Sequence, residues 1–264
     1  MIMQTSDITF VDTHCHLYAS EFDDDRIGMV SKAMEAGVHE MMLPNIDSLS
    51  LEGMWDLVNA FPDHCFPMMG LHPCSVKADF KEVLSILKED LTVRSYAGIG
   101  ETGIDLYWDI TFREEQVEAF EEQIRWAKEF QIPIIIHSRE SLDLNIEIIT
   151  RQAGEDLKGI FHCFSGSYEQ AMAIHDIGFK VGIGGVVTFK KSGLDEVLPR
   201  LPMEMIVLET DAPYLAPVPF RGKRNESAYI RLIADKIAHL TGKSLQEIAI
   251  ETTRNAHEVF RKKI

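Results

Sequence analysis

Short apolar runs alternate with longer amphipathic stretches along the whole chain. The runs lie at Ile8–Val11, Glu40–Leu43, Cys65–Met69, Tyr96–Ile99, Pro133–Ile136, Ile160–Phe161, Phe179–Ile183 and Met205–Leu208. Each reads as a short buried strand. The stretches between them read as helices. Thr111 and Glu114 have the spacing of a capping box, in which hydroxyl and carboxylate satisfy free backbone N–H groups. Val117, Phe120, Ile124 and Ala127 then fall on one helical face. Ser167 with Gln170, and Ser244 with Glu247, predict two more helix starts. Gly37, Gly154 and Gly178 stand where helix C-terminal caps belong. Pro133 occupies a permitted first position of a strand.

Eight βα units in unbroken succession predict a (β/α)8 TIM barrel made by residues 1–264 as one domain. The alternative is an open doubly wound sheet, but no Gly-x-Gly-x-x-Gly turn follows the first strand. An apolar content of 45% supplies a sizeable core. No apolar run approaches a membrane span. Met1 to Asp7 lack the basic-then-hydrophobic order of a secretory signal, so a cytoplasmic protein without a membrane partner is expected. The four cysteines have no Cys-x-x-Cys spacing. Cys15 and Cys163 adjoin histidines but alternate to the opposite side of a strand, which predicts apolar filler. A net charge of −16 argues against a broad nucleic-acid-binding surface. Attraction for a phosphate ester must come from a local cationic feature.

Ligand-type residues recur at the predicted strand ends, where active sites of this fold lie. His14 and His16 follow the first run, alternating so that they share a face with Asp12. His72 follows the third. Glu101 and Asp105 lie in the loop after the fourth. His137 ends the fifth, His162 lies within the sixth, and Glu209 and Asp211 follow the eighth. Singly, each has an ordinary reading: His162 as a hydrogen-bonded core residue, Asp211 as a helix cap. Together, a buried ring of such groups without a metal would lose its hydration uncompensated. The six groups His14, His16, Glu101, His137, His162 and Asp211 exceed the four of a closed zinc site. They suit two divalent ions bridged by a carboxylate such as Glu101. Imidazoles suit zinc, nickel or iron, and carboxylates suit magnesium or manganese. Paired ions about 4 Å apart activate water for hydrolysis. No nucleophilic Ser or Cys is then needed, and no organic cofactor motif is visible.

Six segments carry a family resemblance: Asp12-Thr13-His14-Cys15-His16-Leu17, Gly70-Leu71-His72-Pro73, Gly100-Glu101-Thr102-Gly103-Ile104-Asp105, Ile136-His137-Ser138-Arg139, His162-Cys163-Phe164-Ser165-Gly166 and Glu209-Thr210-Asp211-Ala212-Pro213. In this order, through nearly the whole chain, they resemble the TatD family of metal-dependent hydrolases among the amidohydrolase-type barrels. The resemblance implies a divalent-metal-dependent nuclease, typically acting on DNA. It implies one metal held by His14, His16 and Asp211, a second held by His137 and His162, and Glu101 between them. His72 is implied as a contact to substrate. The loop containing Arg221, Lys223 and Arg224 also resembles the family, and its cations suit phosphate oxygens. It departs from the family pattern in having Ser227 where Pro is usual.

The mechanism expected from these residues is water attack on a phosphodiester. Asp211 takes the water's proton, the cationic loop steadies the phosphoryl oxygens, and His72 is a candidate proton donor. The alternative is a hydrolase of a carboxylic ester or amide, such as a lactone or a mischarged aminoacyl-tRNA. The basic loop favours the phosphate ester.

Overall fold

Eight strands pair in chain order into one parallel sheet. The computed structural model describes residues 8–260; residues 1–7, read above for a targeting signal, lie outside them. The strands are Phe10–Asp12 (β1), Val38–Pro44 (β2), Cys65–Met69 (β3), Gly98–Asp105 (β4), Ile134–Arg139 (β5), Gly159–Phe161 (β6), Lys180–Ile183 (β7) and Ile206–Leu208 (β8). The helices are Arg26–Glu35 (α1), Leu51–Ala60 (α2), Phe80–Val93 (α3), Arg113–Phe130 (α4), Leu142–Gln152 (α5), Tyr168–Asp176 (α6), Leu194–Val197 (α7), Ile230–Thr241 (α8) and Leu245–Phe260 (α9). Just past β1, the Thr13 backbone N–H donates to Leu208 O at 3.0 Å, bringing the first strand against the last. This is the expected (β/α)8 barrel. No helix among the described residues is long and apolar enough to cross a membrane.

Inside the ring, Val11, Met42, Met68, Ile135, Ile160 and Val207 form one apolar cluster, with Ala256 and Val259 of α9 packed into it. The larger core lies between strands and helices, where Phe120, Ile124 and Ala127 of α4 are buried as their spacing predicts. This leaves the other end of the barrel, where the strands finish, free for polar groups.

The boundaries differ from the sequence expectation in places that matter. β4 does not stop at Ile99 but runs on to Asp105, so Glu101 and Asp105 project from a strand rather than from the loop after it. Glycine spacing reads as a turn, yet these glycines let β4 lie close against β5. A Cβ on Gly103, whose φ is +132°, would sit 2.2 Å from the His137 carbonyl oxygen. β6 ends at Phe161, so His162 follows the strand instead of lying in it. Capping boxes form at Ser167 with Gln170 and at Ser244 with Glu247. None forms at Thr111: α4 starts at Arg113 without a side-chain cap, because Asp109 Oδ1 has already accepted the Thr111 N–H in a preceding turn. Gly37 and Gly178 take φ of +90° and +78° behind α1 and α6. Gly154 does not cap α5, which ends with Ala153 in an extended conformation.

Candidate metal centre

Asp12, the last residue of β1, is buried and ties two loops together. Its carboxylate accepts from the Thr210 N–H at 2.9 Å, the Thr210 hydroxyl at 2.5 Å and the His14 N–H at 3.3 Å. The His14 carbonyl in turn accepts from the Asp211 N–H at 2.8 Å. His14 and His16 therefore converge through a pinned turn, not through strand alternation as the spacing suggested. Their Nε2 atoms lie 3.1 Å apart. Asp211 itself has a φ of +58°, a conformation uncommon for a residue with a Cβ, and this turn directs its carboxylate back toward the pair.

Glu101 stands between two groups of imidazoles. Its Oε2 lies 3.1 Å from His14 Nε2 and 3.4 Å from His16 Nε2. Its Oε1 lies 2.7 Å from His137 Nδ1, 2.8 Å from His162 Nε2 and 3.4 Å from His72 Nε2. Asp211 Oδ1 completes the first group at 3.6 Å from His16 and 3.8 Å from His14. The six residues expected as ligands are thus brought together, with the four histidines divided between the two oxygens of Glu101.

Hydrogen bonds behind the rings decide which nitrogens offer a lone pair. The Tyr18 hydroxyl donates to Pro44 O at 2.5 Å, so toward His16 Nδ1, 3.0 Å away, it acts as the acceptor. That puts the His16 proton on Nδ1 and the lone pair on Nε2, facing the centre. His137 Nε2 lies 3.0 Å from Asp105 Oδ2 and donates to it, so in the neutral ring the lone pair is on Nδ1, facing Glu101. His72 is the opposite case. Its Nδ1 accepts from the Cys74 N–H at 3.0 Å. Burial lowers its pKa, so the neutral ring carries its one proton on Nε2, aimed at the centre. His72 therefore presents an N–H, not a lone pair.

Asp105 and Glu209 were not among the expected site residues. Glu209 is fully buried, its Oε1 accepts from the Cys163 N–H at 2.5 Å, and the same oxygen lies 3.6 Å from His162 Nδ1. Both lie in the segments that carry the resemblance, which was the signal available. Asp105 positions the His137 ring, a role that emerges only when β4 meets β5, whereas Glu209 holds the backbone N–H of Cys163 and leaves His162 Nδ1 without a hydrogen bond among the described residues.

The donor set fits a divalent metal. Buried imidazole nitrogens face carboxylate oxygens at short range: the ligand atoms of His14, His16 and Glu101 lie within 4.8 Å of one another, and so do those of His14, His162 and Asp211. Burial opposes ionisation of Glu101, but His162, His72 and His14 outweigh it and hold its pKa well below the usual range. Burial, then the neighbouring His162, keeps the His14 pKa well below normal, whereas against burial Glu101 draws that of His162 well above normal and Asp105 and Glu101 raise that of His137, so those two rings give up a proton when a metal binds. Burial pushes the Asp211 carboxyl up to about 7 against the pull of His162 and His16.

The centre opens into a cleft of about 950 Å³ whose walls include His72, Trp108, Arg139, Phe189, Arg221 and Lys223. Arg221 and Lys223 reach the cleft as expected of the basic loop. Arg224 does not. Its guanidinium is held by Asp25 at 2.6 and 2.8 Å and by the Glu21 carbonyl at 2.7 Å. Nothing in a run of three cations distinguishes the one that braces the loop from the two that line the cleft.

The TatD-related DNase family model matches residues 11–261. The metal-dependent hydrolase YabD of Bacillus subtilis is 36% identical over 251 residues, covering 95% of this chain and 98% of the relative. The 3'-5' ssDNA/RNA exonuclease TatD of Pantoea ananatis is 30% identical over 255 residues, covering 94% and 98%. The crystal structure of the TatD homologue YJJV from Escherichia coli superimposes with a TM-score of 0.89 at 29% identity, covering 95% of this chain and 97% of that one. With the family model spanning nearly the whole chain and the barrel shared with a solved TatD homologue, the protein belongs to the TatD family of metal-dependent hydrolases.

Proposed function

We propose that this protein is a binuclear metal-dependent nuclease that hydrolyses phosphodiester bonds in single-stranded DNA or RNA. The observation that carries the reading is the division of imidazoles between Glu101 Oε2 and Glu101 Oε1. On this reading His14, His16 and Asp211 would hold one divalent ion, His137 and His162 would hold the other, and Glu101 would contribute to both. Zinc, manganese, magnesium, nickel and iron all suit this mixed donor set. When bound, the ions supply an activated water and neutralise charge on the phosphoryl oxygens.

The chain's own groups supply the rest. Asp211 takes the proton of the attacking water at its carboxylate. Its place beside His14 and His16 suits this role, because a base must lie within reach of the water whose proton it takes. His72 directs its Nε2–H toward the same centre and donates to a phosphoryl or leaving oxygen. Arg221 and Lys223 hold the substrate's flanking phosphates at the mouth, a local attraction on a chain of net charge −16. Asp105 orients His137, and Glu209 fixes the backbone beside His162 through the Cys163 N–H. The name of the Pantoea relative, an exonuclease on single-stranded DNA and RNA, supports the substrate class.

Metal-loaded protein incubated with single-stranded oligonucleotides and with a panel of lactones and small carboxylic esters tests this reading. Oligonucleotide cleavage is expected. Ester turnover with the oligonucleotides intact would replace it with the carboxylic-ester alternative.

A further inference from the structure

Two large aromatic side chains stand exposed beside the centre, and the mechanism above does not use them. Tyr107 and Trp108, immediately after β4 and Leu106, are 54% and 67% exposed. Their rings meet edge to face, with centroids 4.9 Å apart. The Arg139 guanidinium, at the end of β5, lies 3.9 Å from the Tyr107 ring centroid and 4.9 Å from that of Trp108. Trp108 and Arg139 line the same cleft as Glu101 and His137.

This shelf is held, not loose. Asp105 Oδ1 accepts from the backbone N–H groups of Tyr107 at 2.9 Å and Trp108 at 3.2 Å. The other oxygen of the same carboxylate holds His137. One side chain thus sets both a ring of the centre and the loop that carries the aromatics. A pinned backbone lowers the entropy cost when a flat ligand stacks on the indole.

We propose that Trp108, backed by Tyr107 and Arg139, is a nucleotide subsite: the indole stacks on an unpaired base while Arg139 contacts the adjoining phosphate. Stacking of this kind accepts any base, because every base has a π-face, but only one freed from a duplex. A second aromatic and arginine pair stands on the wall formed after β7 and β8, where the Arg221 guanidinium lies 4.4 Å from the Phe189 ring centroid. In an eight-stranded ring β4 and β8 lie across from each other, so the two pairs flank the centre and suit a single strand laid across it. The inference rests on the phosphodiester reading above and adds the groups that select an unpaired base.

The test compares metal-loaded wild type, Trp108→Ala and Trp108→Phe on a single-stranded oligonucleotide and on a strand of equal length whose residues are abasic. The phosphodiester bonds are the same, and only the bases are missing. Wild type is expected to show a KM for the base-bearing strand about ten-fold or more below that for the abasic strand. Trp108→Ala brings this ratio near one, and Trp108→Phe restores most of it. A ratio that stays at the wild-type value in Trp108→Ala, or a wild type that never distinguishes the strands, overturns the subsite and leaves the phosphodiester reading standing. Failure of wild type to cut either strand overturns both. Because the Trp108 side chain is exposed, its removal leaves the core intact and the comparison is one of folded proteins.

Discussion

Asp105 holds His137 Nε2 at 3.0 Å, and through that contact a residue of β4 determines which nitrogen of a residue on β5 faces the centre. Ligand histidines commonly depend on such a partner for their tautomer and basicity. Asp105→Asn replaces a charged acceptor with an amide that must choose between accepting from the ring and accepting from Tyr107 and Trp108. The expected result is about 10- to 100-fold weaker binding of one metal equivalent. Metal titration followed by calorimetry would read it, and unchanged affinity at both equivalents would remove Asp105 from this role.

Asp211→Asn keeps the size and one oxygen of the side chain but cannot take a proton at neutral pH. At matched metal content, kcat on a single-stranded oligonucleotide is expected to fall by about 10²- to 10⁴-fold. Undiminished turnover would exclude Asp211 as the base.

His72 separates from His16 and His137 by tautomer, since it turns an N–H toward Glu101 and they turn a lone pair. His72→Ala removes an N–H donor rather than a ligand lone pair, so metal stoichiometry should stay at wild type while kcat falls by about 10²-fold. Stoichiometry measured by plasma emission spectrometry on dialysed protein distinguishes the two roles. Loss of a metal equivalent in this variant would make His72 a ligand.

The basic loop should divide between two effects. Arg221→Ala and Lys223→Ala are expected to raise KM for oligonucleotides. Each should also lower the magnitude of the slope of log affinity against log salt by about 0.7, the value for neutralising one phosphate fewer on a single strand. Arg224→Ala should leave that slope unchanged and lower the melting temperature, since its guanidinium spans Asp25 and the Glu21 carbonyl. A reduced salt slope in Arg224→Ala would restore it to the substrate path.

The barrel was legible because its strands are buried and therefore apolar, and eight such runs stand out between amphipathic helices. The site residues were legible because ligand types recur after strand after strand. The extent of β4 was not, since Gly98, Gly100 and Gly103 suggest a turn until β5 is seen packed against them. The division of the imidazoles between the oxygens of Glu101 is a matter of side-chain direction, which no spacing encodes. The same holds for His72: its proton is placed by the Cys74 backbone, and spacing alone cannot tell a donor from a ligand. The exposure of Trp108 beside Arg139 was equally hidden, since an aromatic residue in a sequence predicts burial at least as readily as display.

A binuclear centre requires Glu101 to stand between two metal ions. Anomalous scattering from crystals grown with metal locates them. Two peaks are expected to flank the Glu101 carboxylate, one beside His14, His16 and Asp211 and the other beside His137 and His162. A single four-coordinate ion at full occupancy, with Glu101 binding through one oxygen or none, would contradict it.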